Sequence, residues 1–178
     1  MKFIIGLIIG ILLVPFGFWV YMSSGAAPVT PDERPMLFEK YFAHVALHAR
    51  MDKEMPKTVP ITVDENTYVA GAQIYKDNCA ECHGYVNQKE TPGLMFPPPP
   101  QLLQGKGMVT HDSPGETFWK VRNGIRLSGM PAFRNRLSND QLWQVSLVLK
   151  HANKLPDSVT QILTYTPTAP ATDKTASK

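Results

Sequence analysis

The chain has 178 residues, and its 18 Lys and Arg against 15 Asp and Glu leave a formal charge of only +3. So small an excess implies no nucleic-acid partner, and the length suits one domain with appendages. Its two cysteines are too few for the disulfide framework of a small secreted scaffold.

Phe3 to Tyr21 carries no charge, and only Gly6, Gly10, Pro15 and Gly17 relieve its hydrophobicity. As a helix rising about 1.5 Å per residue it spans about 28 Å, close to a bilayer core. Trp19 and Tyr21 fall where an interfacial aromatic belt would sit, and Pro15 kinks such a helix without forbidding it. Lys2 is the only early charged side chain, which favours a cytoplasmic amino end with the remainder outside. Residues 1–22 therefore read as a transmembrane anchor. The rival is a cleaved signal peptide ending among the small residues Ser23 to Ala27, but the apolar run exceeds the roughly 7–15 residues of a signal core. Both readings export the remainder of the chain.

Residues 23–63 read as a linker containing one amphipathic helix over about 35–54. Pro35 suits a first helical position. Phe38, Tyr41, Phe42, Val45 and Ala49 fall on one apolar stripe, expected to pack on the domain that follows or on a partner subunit. His44 and His48 share a helix face, but no carboxylate at matching spacing completes a metal site, so they read as polar residues flanking the stripe.

Asp64 is a suitable N-cap for a helix that carries Val69, Ile74 and Tyr75 toward Cys79-Ala-Glu-Cys-His83. Two cysteines two residues apart with a histidine directly after the second are the signature of covalent haem attachment. Both thiols can add across the haem vinyl groups, and His83 can bring its imidazole to the iron. A thioredoxin-like dithiol would need a βαβ pattern and a structural zinc would need a second ligand pair; neither is present in the sequence. Residues 84–107 read as loop, and Pro97 to Pro100 cannot form interior helix. Ser113-Pro-Gly-Glu116 and Ser138-Asn-Asp-Gln141 are capping boxes opening helices to about Arg122 and about Asn153. No strand-period pattern of useful length appears, so the class is all-α. Residues 157–178 read as a disordered tail.

Cys-x-x-Cys-His with Gly129-Met130-Pro131-Ala132-Phe133 downstream resembles the class I monohaem cytochrome c domain, over roughly residues 64–156. The resemblance implies a small helical fold around one haem c, held by Cys79 and Cys82 through two thioethers, with His83 and Met130 as iron ligands. Met95, Met108 and His111 are the other candidates for the sixth ligand. It implies that Gly71 lets the last helix cross closely, that Tyr75 packs at the crossing with Trp143 near it, and that one carbonyl of Pro97 to Pro100 receives the Nδ1 proton of His83. It also places the haem domain in the periplasm, on the outer face of a bacterial inner membrane.

The function expected is one-electron transfer between respiratory or dehydrogenase partners, with no small-molecule substrate at the iron and no enzymatic role. The alternatives are a peroxidase-like haem enzyme or a gas-binding haem sensor, both of which require that Met130 does not hold the iron. Between Glu116 and Asp140 there is no acidic residue, while Lys120, Arg122, Arg126, Arg134 and Arg136 occur there. That segment carries Met130, and its charge is suited to steering an acidic redox protein.

Overall fold

The computed structural model describes residues 2–30, 33–91, 95 and 97–166. Among these every regular element is helical: α1 (Lys2–Ser23), α2 (Glu39–Glu54), α3 (Glu65–Asn78), α4 (Ala80–His83), a 3-10 turn (Gly105–Gly107), α5 (Pro114–Asn123), α6 (Asn139–Lys150) and α7 (Asp157–Ile162). Two compact units divide the chain, residues 1–48 and residues from 49 onward, with the division falling inside α2.

In the first unit, α1 is long and apolar enough to cross a membrane, and a signal sequence would satisfy the same criterion. It ends where the hydroxyls of Ser23 and Ser24 donate back to the carbonyls of Trp19 and Tyr21, at 2.9 and 2.8 Å. The next helix, α2, starts at Glu39 rather than Pro35. Phe38 has φ 66°, a left-handed conformation that a right-handed helix cannot include. The Glu39 carboxylate then accepts from the Met36 amide at 2.9 Å, closing the entry turn. Phe38, Tyr41, Phe42 and Val45 are exposed.

The second unit begins earlier than the expected boundary at residue 64. Met51 is fully buried, and Val59 and Ile61 pack on the core. Glu54 accepts a hydrogen bond from the Trp119 indole at 3.1 Å, and Gly115 lies so close to the Pro56 carbonyl that a Cβ would collide with it. The stretch after α2 looked like linker because its prolines hide two apolar anchors.

The core of this unit is α3 crossing α6, with α5 and α7 alongside. Asp64 caps α3 by accepting from the Thr67 amide at 2.8 Å. At the crossing, a Cβ on Gly71 would run into the Gln144 backbone carbonyl and come within 2.7 Å of Val148 Cγ2. Close approach is thus the physical reason for a glycine inside a helix. Tyr75 is fully buried, as is Val148. Trp143 is buried against α5, its ring stacked on Phe118 with centroids 4.2 Å apart, a pairing worth about 0.5–1.5 kcal/mol beyond burial. The Ser138 box is complete in both directions. The Ser113 box is half made: Ser113 accepts from the Glu116 amide, but the Glu116 carboxylate turns to Lys120.

A tail disordered from 157 does not hold for residues 157–166. Val159 and Leu163 are fully buried, Ile162 packs beside them, and Tyr165 exchanges hydrogen bonds with Asn87 at 2.8 and 3.0 Å. Val159, Ile162 and Leu163 have i, i+3, i+4 spacing, too short a pattern to stand out in sequence. Residues 167–178, the rest of that expectation, lie outside the described residues.

Candidate haem site

Cys79 ends α3, and the next helical turn, α4, closes directly on it. The amides of Cys82 and His83 both donate to the Cys79 carbonyl, at 3.1 and 2.8 Å. The pentapeptide is therefore one continuous turn, with thiols three positions apart on neighbouring faces. Both thiols are free and half-buried. Burial pushes the Cys79 thiol up to about 12, with the nearby Cys82 adding to the effect. Cys79 is thus a protonated thiol at neutral pH, unlike the activated thiolate of a redox dithiol. Among the described residues no three His, Cys, Asp or Glu side chains are grouped to hold a metal ion, so a zinc site built on Cys79, Cys82 and His83 finds no support.

Gly84 stops the turn with φ 75°. A Cβ there would lie 2.9 Å from the Gln101 amide nitrogen, and the Gly84 carbonyl receives the Tyr75 hydroxyl at 2.9 Å. The chain is thereby turned away from His83 at once.

His83 Nδ1 lies 2.8 Å from the carbonyl oxygen of Pro100. A carbonyl can only accept, so the proton belongs on Nδ1 and the Nε2 lone pair is left for another partner. Burial holds His83 below the ordinary imidazole range, against the opposing pull of the Pro100 hydrogen bond. Of the four consecutive prolines, Pro100 is the one the fold selects.

What holds Pro100 in place is its neighbour, Gln101, which sequence reasoning did not single out. The buried Gln101 amide donates to the carbonyls of Tyr85 and Gln88, at 2.9 and 2.7 Å, and its oxygen accepts from the Leu103 amide at 2.8 Å. The available signal was a polar residue between a proline run and two leucines, Leu102 and Leu103, both buried. Thr91 adds a further tie, its hydroxyl donating to the Pro99 carbonyl at 3.0 Å.

Met130 is half-buried against the core cluster, on a loop closed upon itself. Its amide donates to Ser128 Oγ at 3.2 Å and its carbonyl accepts from the Ile125 amide at 3.2 Å. Gly124, with φ 70°, does more than end α5. A Cβ there would lie 2.8 Å from backbone atoms of Met130, Pro131 and Ala132. Met95 joins the same region, its sulfur packed on Gly129. Met108 instead follows the 3-10 turn. His111 is exposed, and its neighbour Asp112 gives its carboxylate to Lys120 at 2.9 Å, so the two do not make an acid–base pair.

Residues 66–147 match the family model described as Cytochrome C oxidase, cbb3-type, subunit III. The second unit contains a class I monohaem cytochrome c domain. The matched span starts inside α3, ends inside α6, and includes Cys79, Cys82, His83 and Met130. No curated protein and no solved structure matches the chain.

The donor set of this cytochrome c domain fits haem c. It offers two unpaired thiols on one turn, an imidazole fixed through Nδ1 with Nε2 free, and a thioether on a braced loop. A domain of this type with this cysteine spacing carries covalently bound haem c and serves as a haem-based electron carrier. His44 and His48, with rings 4.3 Å apart, lie in the other unit and have no third donor grouped with them among the described residues.

Proposed function

We propose that this chain is a membrane-anchored monohaem cytochrome c that passes single electrons between redox proteins. In this reading Cys79 and Cys82 form the two thioethers, and His83 and Met130 are the axial ligands. The observation that carries it is the His83–Pro100 hydrogen bond, which fixes the tautomer that a metal-binding imidazole needs. When bound, the haem supplies a ferric–ferrous couple whose potential is raised by methionine and histidine ligation.

The protein's own residues supply retention, orientation and closure. The Pro100 carbonyl orients the His83 ring, and the Gln101 clamp fixes that carbonyl. Ser128, Ile125 and Gly124 brace the Met130 loop from both sides. A braced Met130 disfavours the enzyme and gas-sensor alternatives, both of which need an open sixth position. The apolar α1 serves as an uncleaved anchor in the inner membrane, with the haem domain in the periplasm. The matched family's description, an oxidase subunit, supports membership of a membrane electron-transfer complex.

Optical spectroscopy of the holoprotein and of Met130→Ala tests this. The parent should show the weak far-red band of ferric iron bound by a thioether and should not bind carbon monoxide when reduced. Met130→Ala should lose that band, bind carbon monoxide and show a lower potential. Retention of the band in Met130→Ala would assign the ligand elsewhere, with Met95 the next sulfur to replace.

A further inference from the structure

We propose that α7 and the residues after it, to Tyr165, act as a strap that positions the His83 ligand from behind, through Asn87. The inference rests on the reading of His83 as an iron ligand. It adds a part of the chain that lies beyond the matched span, which ends at residue 147. The strap is anchored at its start. Val159 and Leu163 are fully buried, and the Ser158 hydroxyl donates to the Glu65 carboxylate at 2.7 Å, where α3 begins. From α7 the chain reaches the turn that follows the pentapeptide. The Leu163 carbonyl accepts from the Val86 amide at 3.0 Å. The Asn87 side chain then makes a two-way pair with the Tyr165 backbone, donating to its carbonyl at 3.0 Å and accepting from its amide at 2.8 Å. The Tyr85 and Tyr165 rings lie together, with centroids 5.4 Å apart. Asn87 and Tyr165 are both exposed, so water would satisfy these polar groups almost as well. The pair therefore adds little to stability, and its consequence is geometric.

What the strap holds is the turn over residues 85–88. The Gln88 amide donates to the Tyr85 carbonyl at 3.0 Å, and the Tyr85 amide donates to Gln88 Oε1 at 3.1 Å, so the turn is closed on itself. Val86 and Asn87 form its outer edge, bonded to Leu163 and Tyr165. The carbonyls of Tyr85 and Gln88 form its inner edge and receive the Gln101 side chain at 2.9 and 2.7 Å. Gln101 follows Pro100, whose carbonyl accepts from His83 Nδ1 at 2.8 Å. An unbroken series of contacts thus runs from Tyr165 through Asn87, the turn and Gln101 to the His83 ring. With only its inner carbonyls engaged, the turn would pass its motion on to Gln101. Engaged on both edges, it is a fixed platform. The strap thereby keeps the Pro100 carbonyl aimed at Nδ1, and that bond sets the orientation and donor strength of a ligating imidazole.

The test uses the ferrous holoprotein in detergent micelles and reads the His83 Nδ1 proton by NMR, with the reduction potential measured alongside. Asn87→Ala removes the two-way pair from one side. A chain stopped after Thr164 removes it from the other while keeping Val159 and Leu163. Each should speed solvent exchange of the Nδ1 proton by about tenfold or more, as expected when a local opening becomes easier, and should raise the potential. The double variant should add little to either, because both changes remove one contact. A chain stopped after Thr166 keeps the pair and should exchange at the parent's rate. Parental exchange in both Asn87→Ala and the chain stopped after Thr164 would overturn the proposal and leave α7 a packing element. Faster exchange in the chain stopped after Thr166 would overturn it too. So would exchange that quickens only in step with a fall in global stability, measured by guanidinium denaturation, since a merely packed helix gives that result. A parent whose His83 ring resonances lack the shift of a haem-bound imidazole would strike the ligand reading. A parent with that shift and unmoved variants would strike the strap alone.

Discussion

The Pro100 carbonyl accepts the Nδ1 proton of His83 at 2.8 Å, and the residue after Pro100 is pinned by three side-chain hydrogen bonds. An imidazole that shares its Nδ1 proton is a stronger donor through Nε2, so with His83 holding the iron as proposed, the geometry of Gln101 would bear on the metal without touching it. Replacing Gln101 with Leu would leave the buried Leu103 amide without a partner, costing roughly 1–3 kcal/mol, while the Tyr85 and Gln88 carbonyls keep their other donors, the Gln88 amide and the Gln104 side chain. It should also loosen Pro100, weaken His83 as a donor and raise the reduction potential. Chemical denaturation and potentiometric titration of Gln101→Leu measure the two effects separately. Lost stability at an unchanged potential would leave Gln101 a packing residue only.

The α3–α6 crossing gives a second prediction. Gly71→Ala would gain up to about 1 kcal/mol of helix propensity. Against this, the new Cβ strikes the Gln144 backbone and crowds Val148, and overpacking of this kind costs about 1–3 kcal/mol. Backbone cannot move aside as a flexible side chain can, so the net should be destabilising. Gln73→Ala, at an exposed site on the same helix, should stay within about 0.5 kcal/mol of the parent. A Gly71→Ala variant as stable as the parent in guanidinium denaturation would show that the crossing can open.

The features legible in the sequence are those set by near neighbours along the chain. Cys79, Cys82 and His83 announce themselves by spacing, and Asp64, Ser113 and Ser138 by their cap positions, because a cap is made within three residues. Gly71 was legible only through the family resemblance, since nothing local says what crosses it. The choice of Pro100 among four prolines depends on where Gln101 finds the Tyr85 and Gln88 carbonyls, sixteen and thirteen residues away. The start of α2 was missed because a phenylalanine at positive φ has no sequence signal. The fold of residues 157–166 was missed because Val159 and Leu163 have meaning only against α3 and its neighbours.

Lys120 offers a prediction in pH. Burial pulls this lysine down, but hydrogen bonds and charge from Glu116 and Asp112 outweigh it, and its value is raised. A lysine raised in the folded state contributes stability that is complete below its unfolded value, near 10.4, and is lost as pH climbs through the folded value. Tyr75 acts in the same direction. Burial raises its hydroxyl first of all, so above about pH 10 the unfolded chain releases that proton while the fold still holds it. Stability should therefore fall on the alkaline side. Lys120→Met and Tyr75→Phe should each flatten part of that limb, and their sum should exceed either alone. An alkaline limb identical in Lys120→Met and the parent would show that the lysine gains nothing from its two carboxylates.

The same ion pairs decide which cations steer a partner. Lys120 was counted from sequence among the basic residues around the Met130 loop, yet its ammonium lies 2.9 Å from Asp112 and 2.7 Å from Glu116. Seen from outside, that group of three is net negative, so long-range attraction of an acidic protein must come from Arg122, Arg126, Arg134 and Arg136. Such attraction raises encounter rates by roughly 10- to 1000-fold and decays over a Debye length of about 8 Å at physiological ionic strength. Electron-transfer encounters have small interfaces, so this long-range part weighs heavily in their rate. Electron transfer to an acidic protein partner should therefore slow as salt rises. Arg126→Glu or Arg134→Glu should slow it at low salt and reduce the salt slope, with the potential nearly unchanged. Lys120→Met should weaken the attraction as well, because it leaves the Asp112 and Glu116 carboxylates uncompensated and makes that group more negative. Stopped-flow rates over a salt series give all three slopes. A flat series in the parent would mean that donor and acceptor are held together in a permanent complex, where encounter no longer limits the rate.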